Sequence, residues 1–308
     1  SSRYYAFSND TAYRYYRFYI QAVVDAQTGQ NYAQIAELEF FGEPQIKTID
    51  RAAFASHQEF KIAGLDEGVT LKRLPVLVRF NPSEVAFSRD DHADLAFTQG
   101  EDDEALPYEV DTWTDTQALV WVCVKEATRG GAFTMHWGAT DDYASDNLYA
   151  WSDYVSVVHF NGDASDSGKY TNVNSSSAEA GFIGKGVSGP KTQIKDPFKG
   201  LANQSKCALS AWMRPTANNI NVRILSTKES YEQNGMELLY VKDSGIYLRG
   251  DNYNAQIVYA AANDEIFQKE TWTHYTAVLN MTDGAIYRNG QPMTTSGSVN
   301  AASLSGTT

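Results

Sequence analysis

The chain has 308 residues, of which 43% are hydrophobic and 13% aromatic, which is enough apolar material for roughly two or three folded domains. Its formal net charge of −13 repels the nucleic-acid backbone, so nucleic acid is not an expected partner. The sequence lacks an apolar run of about 18 residues, so no transmembrane helix is predicted. The first residues, SSRYYAFSND, do not resemble a signal peptide, because they have neither a basic start nor an apolar core.

The first block, residues 1–45, predicts a β-hairpin. In AYRYYRFYIQAVV the apolar side chains recur at every second position and share one face, as in a strand. A turn, DAQTGQN, separates this segment from AQIAELEFFG, which alternates in the same way. So short a pair of strands is not stable alone, and we expect it to dock on a neighbouring sheet.

The second and third blocks also alternate with a period of two. Residues 46–150 contain LPVLVRF, DLAF, ALPYEVDTW, ALVWVCV and AFTMHWG, and they end in the polar stretch ATDDYASDN, a predicted domain boundary. Residues 151–308 contain YVSVVHF, CALSAWM, VRILST, ELLYV, GIYLRG, QIVYAA, WTHYTAVLN and AIYRNG. Helix signals are few, with one turn expected in NPSEVAF. The pattern predicts an all-β chain of tandem β-sandwiches.

Three segments resemble known families. YRYYRFYIQAV and AQIAELEFFG are similar to the closing strands of discoidin-like (coagulation factor type C) domains. The middle block resembles an uncharacterised domain family of large bacterial surface proteins, through LPVLVRF, DDHADLAF, ALPYEVDTW, ALVWVCV and FTMHWGATDD. The third block resembles a laminin-G-like, concanavalin A-type jelly roll, through VVHFNGDASDSG, CALSAWMRP, WTHYTAVLN and AIYRNGQPM.

The resemblances imply a multi-domain protein whose two ends are cut inside a domain. The front of the discoidin-like domain and the last strands of the jelly roll would then lie outside residues 1–308. We expect either a fragment of a larger polypeptide or a partner chain that supplies the missing strands by β-strand addition.

Glu109 and Asp111 form the most suggestive acidic pair. They lie two residues apart in the predicted strand LPYEVDTW, so both side chains are expected on one face. Two carboxylates are what a retaining glycoside hydrolase uses. However, laminarinase-type glycosidases of the concanavalin A-like class carry a further Glu, where this chain has Thr114 and Asp115.

The pair also falls in the middle block rather than in the jelly roll, where that catalytic strand belongs. We therefore interpret it as structural, with Glu109 bonding a turn or pairing with Arg89 or Lys125. Nucleophile elbows, phosphate loops and dinucleotide fingerprints are missing from the sequence, so no enzyme is expected. The Gly-rich stretch GFIGKGVSG lacks a flanking strand and helix and is predicted to be a loop.

Four Asp-rich clusters are candidates for a cation: DDHAD, EDDE, DDYASDN and NGDASDSG. Hard oxygen ligands at short spacing suit Ca²⁺, although Asp and Asn are also ordinary turn residues, which is the favoured interpretation of any single cluster. The best candidate is NGDASDSG, because jelly rolls of this type often hold calcium near the first strand. Its expected ligands are Asn161, Asp163 and Asp166.

Other metal chemistry is not indicated. The histidines lack paired spacing, so no zinc site is expected; those inside apolar strands are interpreted as core or face residues. Cys123 and Cys207 lie in different predicted strands and are expected to be free thiols.

Glycan binding is the remaining hypothesis. Sandwich modules stack an aromatic ring on the sugar and use polar side chains for its hydroxyls. Two polar–aromatic segments, KESYEQNG and RGDNYNAQ, offer both kinds of residue. The candidate ligand-binding residues are Tyr231, Asn234, Arg249, Asp251, Asn252, Tyr253 and Asn254.

Together these patterns predict a non-catalytic, extracellular or cell-surface protein for glycan binding, adhesion or surface assembly. Its partners would be glycans or other surface proteins. Two alternatives stay open: an accessory carbohydrate-binding region of a larger secreted hydrolase, and a structural surface or filament subunit.

Overall fold

The computed structural model describes residues 48–143, 150–160, 178–188, 206–217, 221–226, 237–249, 256–259, 268–280 and 283–298. Within these ranges the structure is almost entirely β, as predicted. Short 3-10 helices lie at Arg51–Ala53 and Pro82–Glu84, the second of them in the expected turn of NPSEVAF. None of the helices in these ranges is long and apolar enough to cross a membrane.

The middle sandwich is built from six strands in two antiparallel sheets, with the orders β1-β6-β3 and β2-β5-β4. Their bounds are β1 Ser56–Lys61, β2 Thr70–Phe80, β3 Ala96–Thr98, β4 Tyr108–Trp113, β5 Ala118–Thr128 and β6 Ala132–Trp137.

Alternation explains the core of the middle sandwich. On β5 every second side chain, Val120, Val122 and Val124, is fully buried and meets Phe97 and Phe133 of the other sheet. The two sheets therefore pack face to face around one apolar layer. The opposite face of β2-β5-β4 is the surface that residues 150–160 contact.

The C-terminal sandwich has a five-stranded sheet, β10-β11-β12-β13-β17, and a four-stranded sheet, β16-β15-β14-β9. A separate hairpin, β7-β8, precedes them. Their bounds are β7 Ala178–Ala180, β8 Lys185–Val187, β9 Lys206–Met213, β10 Val222–Ser226, β11 Glu237–Val241, β12 Gly245–Arg249, β13 Gln256–Tyr259, β14 Thr273–Asn280, β15 Asp283–Arg288, β16 Gln291–Pro292 and β17 Ser296–Ser298.

A second apolar core joins these two sheets. Leu238, Tyr240 and Ile246 of the five-stranded sheet pack with Tyr275 and Leu279 of the four-stranded sheet. The chain thus contains two β-sandwiches in tandem, each with its own core, as the alternation predicts.

Two local predictions are wrong. Residues 154–160, predicted as a strand, are irregular apart from a bridge residue at Val158, because Trp151 and His159 bond to the face of the middle sandwich instead. The Gly-rich stretch GFIGKGVSG, predicted as a loop, contains β8 and the turn of the β7-β8 hairpin. The predicted domain boundary between residues 150 and 151 falls within the segment that contacts the middle sandwich. Residues 1–45, for which a discoidin-like hairpin is predicted, lie outside the described residues.

Candidate functional site

The outer face of the four-stranded sheet carries both aromatic and polar side chains. On β9, Leu209 is buried in the core, while Ser210 and Trp212 point away from it. On β14, Tyr275 is buried in the core, while His274 and Thr276 point away from it. In the β9-β14 register His274 lies opposite Trp212, and Thr276 lies opposite Ser210. Strand alternation therefore brings these four side chains together on the outer face.

An exposed aromatic pair marks one end of this face. The rings of Phe182 and Trp212 are stacked, with centroids 3.7 Å apart and planes inclined by 19°. Phe182 is 47% exposed and Trp212 is 37% exposed. An aromatic pair in solvent retains unburied apolar surface, which a ligand or partner could cover.

The β7-β8 hairpin places Phe182 over the sheet. Its turn is closed by the Gly181 N–H, which donates to the Gly184 carbonyl at 3.1 Å. A Cβ on Gly181 would lie 2.4 Å from the Lys185 carbonyl oxygen, and a Cβ on Gly186 would lie 3.7 Å from the Trp272 ring. Glycine is thus needed at Gly181 for the hairpin to close, whereas a Cβ on Gly186 would make only ordinary van der Waals contacts.

Polar side chains lie beside Trp212 on the same face. Ser210 Oγ lies 2.7 Å from His274 Nε2, and Thr276 Oγ1 donates to Ser210 Oγ at 3.4 Å. The His274 ring lies 4.9 Å from the Trp212 ring. Burial lowers the pKa of His274 from its usual value, which favours the neutral imidazole with one donor and one acceptor.

The predicted carboxylate pair lies elsewhere, on the outer face of the middle sandwich. Glu109 Oε2 accepts hydrogen bonds from Trp151 Nε1 and, at 3.1 Å, from His159 Nε2. Asp111 Oδ2 accepts from Trp121 Nε1 at 3.0 Å and lies 3.5 Å from His159 Nδ1. Because both carboxylates meet one imidazole, the prediction that they share a face is confirmed.

The predicted cationic partners of Glu109 are wrong. Lys125 Nζ pairs with Glu104 Oε2 at 2.6 Å, and Arg89 pairs with Asp91 at 2.7 Å. The Glu109 and Asp111 side chains are only 7% and 1% exposed. A β-bulge between Val110 and Thr112 shifts the register at Asp111, and residues 150–160 cover the face with Trp151 and His159, so indole and imidazole nitrogens are the close donors.

Residues 150–160 have further contacts with the middle sandwich. Arg73, which adopts a positive φ of 54°, pairs with Asp153 at 2.9 Å and donates to Ser152. The Trp151 ring lies 5.3 Å from Trp121 and 5.2 Å from Tyr154. These contacts make residues 150–160 a strap on the sheet β2-β5-β4.

The acidic cluster DDHAD serves turn chemistry, which was its favoured interpretation. Asp91 binds Arg89 and accepts from the Ala93 N–H, and these bonds lower its pKa to about 2. Asp94, fully buried, accepts from the N–H groups of Ser88 and Gly138. In the described ranges, no group of three or more His, Cys, Asp or Glu side chains could hold a metal ion.

Most of the predicted site residues lie outside the described residues. These are Asn161, Asp163 and Asp166 for calcium, and Tyr231, Asn234, Asp251, Asn252, Tyr253 and Asn254 for sugar. Arg249 is described and ends β12, where its guanidinium lies 4.7 Å from the Tyr247 ring. It belongs to the five-stranded sheet, not to the face that carries Trp212. Cys123 and Cys207 are both free thiols, as predicted.

Sequence reasoning missed Phe182, Trp212 and His159. Alternation in CALSAWM could have placed Trp212 on the face of the strand that points away from the core, because Trp212 and the core residue Leu209 are an odd number of positions apart. Phe182 gave no comparable signal, since it lies in a turn of a Gly-rich stretch.

Comparison with known proteins agrees with the fold of the C-terminal sandwich. Residues 188–308 match the family described as the concanavalin A-like lectin/glucanases superfamily. No curated protein and no solved structure matches the chain significantly. The match includes Trp212 and His274 and begins six residues after Phe182. The C-terminal part of this all-β chain is therefore a concanavalin A-like domain.

Proposed function

We propose that this chain is a non-catalytic glycan-binding protein of the cell surface or extracellular space. The observation that carries the proposal is the exposed, stacked Phe182–Trp212 pair on the outer face of a concanavalin A-like sandwich. We name Phe182, Trp212, Ser210, His274 and Thr276 the aromatic platform.

The chemistry of the aromatic platform suits a sugar. A pyranose ring presents C–H groups on its face, which pack against an aromatic ring, and hydroxyls on its rim, which need donors and acceptors. The exposed Phe182 supplies apolar surface, and the hydroxyls of Ser210 and Thr276 with the neutral His274 supply both kinds of polar group.

The burial of the carboxylate pair argues against hydrolysis at that pair. Catalysis needs carboxyl groups that flank an accessible glycosidic bond. Glu109 and Asp111 are almost completely buried beneath the strap, in the sandwich that the lectin/glucanase family does not match. Incubation with β-glucans, mucin glycans and aryl glycosides should therefore release no sugar. Release that is lost in Glu109→Gln would overturn this part of the proposal.

Calcium belongs to the same proposal. We infer that a bound cation would be Ca²⁺, held by Asn161, Asp163 and Asp166 with backbone carbonyls, because the ligands are hard oxygens at short spacing. The resemblance to jelly rolls that hold calcium near the first strand is what supports it.

A glycan array followed by titration calorimetry tests the proposal. Phe182→Ala and Trp212→Ala should each weaken binding at least tenfold, equal to about 1.4 kcal/mol. Leu71→Ala is the matched control, since Leu71 is an apolar side chain 40% exposed on the middle sandwich. Glycan binding that survives both platform substitutions would place the site elsewhere, and regular polymers in the electron microscope without glycan binding would favour the structural alternative.

A further inference from the structure

The outer face of the four-stranded sheet continues well beyond the aromatic platform. Cross-strand register arranges its outward side chains in four rows that cross the strands. The first row is Trp212 and His274, the second is Ser210, Thr276, Tyr287 and Pro292, the third is Ala208, Val278 and Ala285, and the fourth is Lys206, Asn280 and Asp283.

The rows differ in size and polarity. The third row has only small or aliphatic side chains, so the protein surface there lies lower than at the aromatic first row or at the tyrosine of the second row. The fourth row returns to polar groups, with Lys206, Asn280 and Asp283 all exposed. Trp212 and Lys206 are separated by six residues of one strand, which corresponds to about 20 Å.

We propose that this face binds an extended, neutral oligosaccharide that lies along β9 and β14, from the Phe182–Trp212 pair towards Asn280. The inference rests on the proposed glycan-binding function and specifies its ligand class. A face about 20 Å long is longer than one sugar ring. Its sequence of aromatic, hydroxyl, small apolar and polar rows matches a chain whose apolar faces and hydroxyl groups alternate along its length.

The charge distribution indicates neutral sugars. Among the described residues of this face, the first three rows carry no charged side chain at pH 7, because burial lowers the pKa of His274. The two charges of the fourth row, Lys206 and Asp283, have opposite sign. The whole chain has a net charge of −13, which opposes uronic acid or sulfated chains.

The test measures affinity as a function of ligand length. Titration calorimetry on the full chain uses two neutral series, glucose-based and galactose-based, from the monosaccharide to the hexasaccharide, and a uronic acid series as the charged counterpart. Affinity for a neutral series should rise by about tenfold or more between the disaccharide and the longer members, and the uronic acid series should bind more weakly.

Ala208→Arg and the uncharged Ala208→Gln place a large side chain on the third row. Both should lower the affinity for long neutral chains to the level of the disaccharide and leave the disaccharide affinity unchanged. Ala63→Arg is the matched control, because Ala63 is exposed on the middle sandwich. Thermal melts of each variant confirm that it is folded.

The outcomes separate the two levels of the argument. Binding that is equally tight at all lengths, and is unaffected by Ala208→Arg, would overturn the extended ligand while preserving glycan binding. Tighter binding of the uronic acid series would overturn its neutrality. If the wild-type chain binds no member of any series and no glycan on the array, the proposed function itself fails.

Discussion

Replacing Glu109 by alanine tests whether the buried carboxylate cluster fixes the strap, residues 150–160, to the middle sandwich. The substitution removes the acceptor for Trp151 Nε1 and for His159 Nε2. Trp151 is only 5% exposed, so water cannot readily replace the lost acceptor. Asp111 remains and still accepts from Trp121, so half of the cluster persists.

The magnitude follows from these two hydrogen bonds. Leaving a buried donor without a partner costs about 1–3 kcal/mol, so Glu109→Ala should destabilise the middle sandwich by about 2–6 kcal/mol when both donors are counted. Glu109→Gln keeps the volume and one acceptor, and it should cost only about 1 kcal/mol. Glu101→Ala is the control on an exposed glutamate and should change the stability by less than about 0.5 kcal/mol.

Urea unfolding followed by tryptophan emission measures these differences, because Trp121 and Trp151 both lie in the cluster. A loss of this size lowers the urea midpoint by about 1–3 M when the slope is about 2 kcal/mol per M. Hydrogen–deuterium exchange should also rise in residues 150–160 before the core strand β5 is affected. If Glu109→Ala behaves like Glu101→Ala in both measurements, the cluster does not hold the strap and our account of it is wrong.

Three further predictions concern pH, calcium and the hairpin. Burial lowers the pKa of His136, which is 5% exposed and lies 2.9 Å from Thr98 Oγ1, to about 4. Because the unfolded state then binds more protons between pH 6.5 and 4, the free energy of unfolding should fall by about 2–3 kcal/mol as the pH is lowered through that window. A urea series in which His136→Gln shows the same pH slope would contradict this. If Asp163 and Asp166 bind Ca²⁺, thermal melts with calcium and with chelator should differ by several degrees, and identical melts would count against the site. Gly181→Ala should open the β7-β8 turn, since its Cβ would meet the Lys185 carbonyl, and weaken glycan binding as much as Phe182→Ala; unchanged affinity would show that the hairpin does not position the ring.

Alternation in the sequence predicted which side chains of one strand share a face. Val120, Val122 and Val124 recur at every second position and form one side of the middle core. Glu109 and Asp111 were predicted on one face by the same rule, and both contact His159. A period of two specifies which side chains share a face, and it needs no knowledge of the partner strand.

Contacts between distant segments were not predictable in this way. His159 lies fifty residues after Glu109, and its predicted strand character gave no reason to place it on another sandwich. The same limit applies to Phe182, whose ring meets Trp212 because of a hairpin turn rather than a periodic pattern. Register and docking depend on long-range packing, which a single sequence does not report.

Exposure is the property that separates the cluster around His159 from the aromatic platform. The cluster around His159 has two carboxylates, two indoles and an imidazole, which are residue types found in glycosidase sites, yet its acidic side chains are 7% and 1% exposed and their oxygens are occupied by N–H donors. The polar groups of the aromatic platform, hydroxyls and a neutral imidazole, are less reactive than carboxylates, but its two rings are 47% and 37% exposed. Groups that are buried and hydrogen-bonded stabilise the fold, whereas an aromatic ring left in solvent gains stability only when something packs on it. The strap therefore covers the acidic cluster, and among the described residues it is the open face of the four-stranded sheet where we propose that a ligand binds.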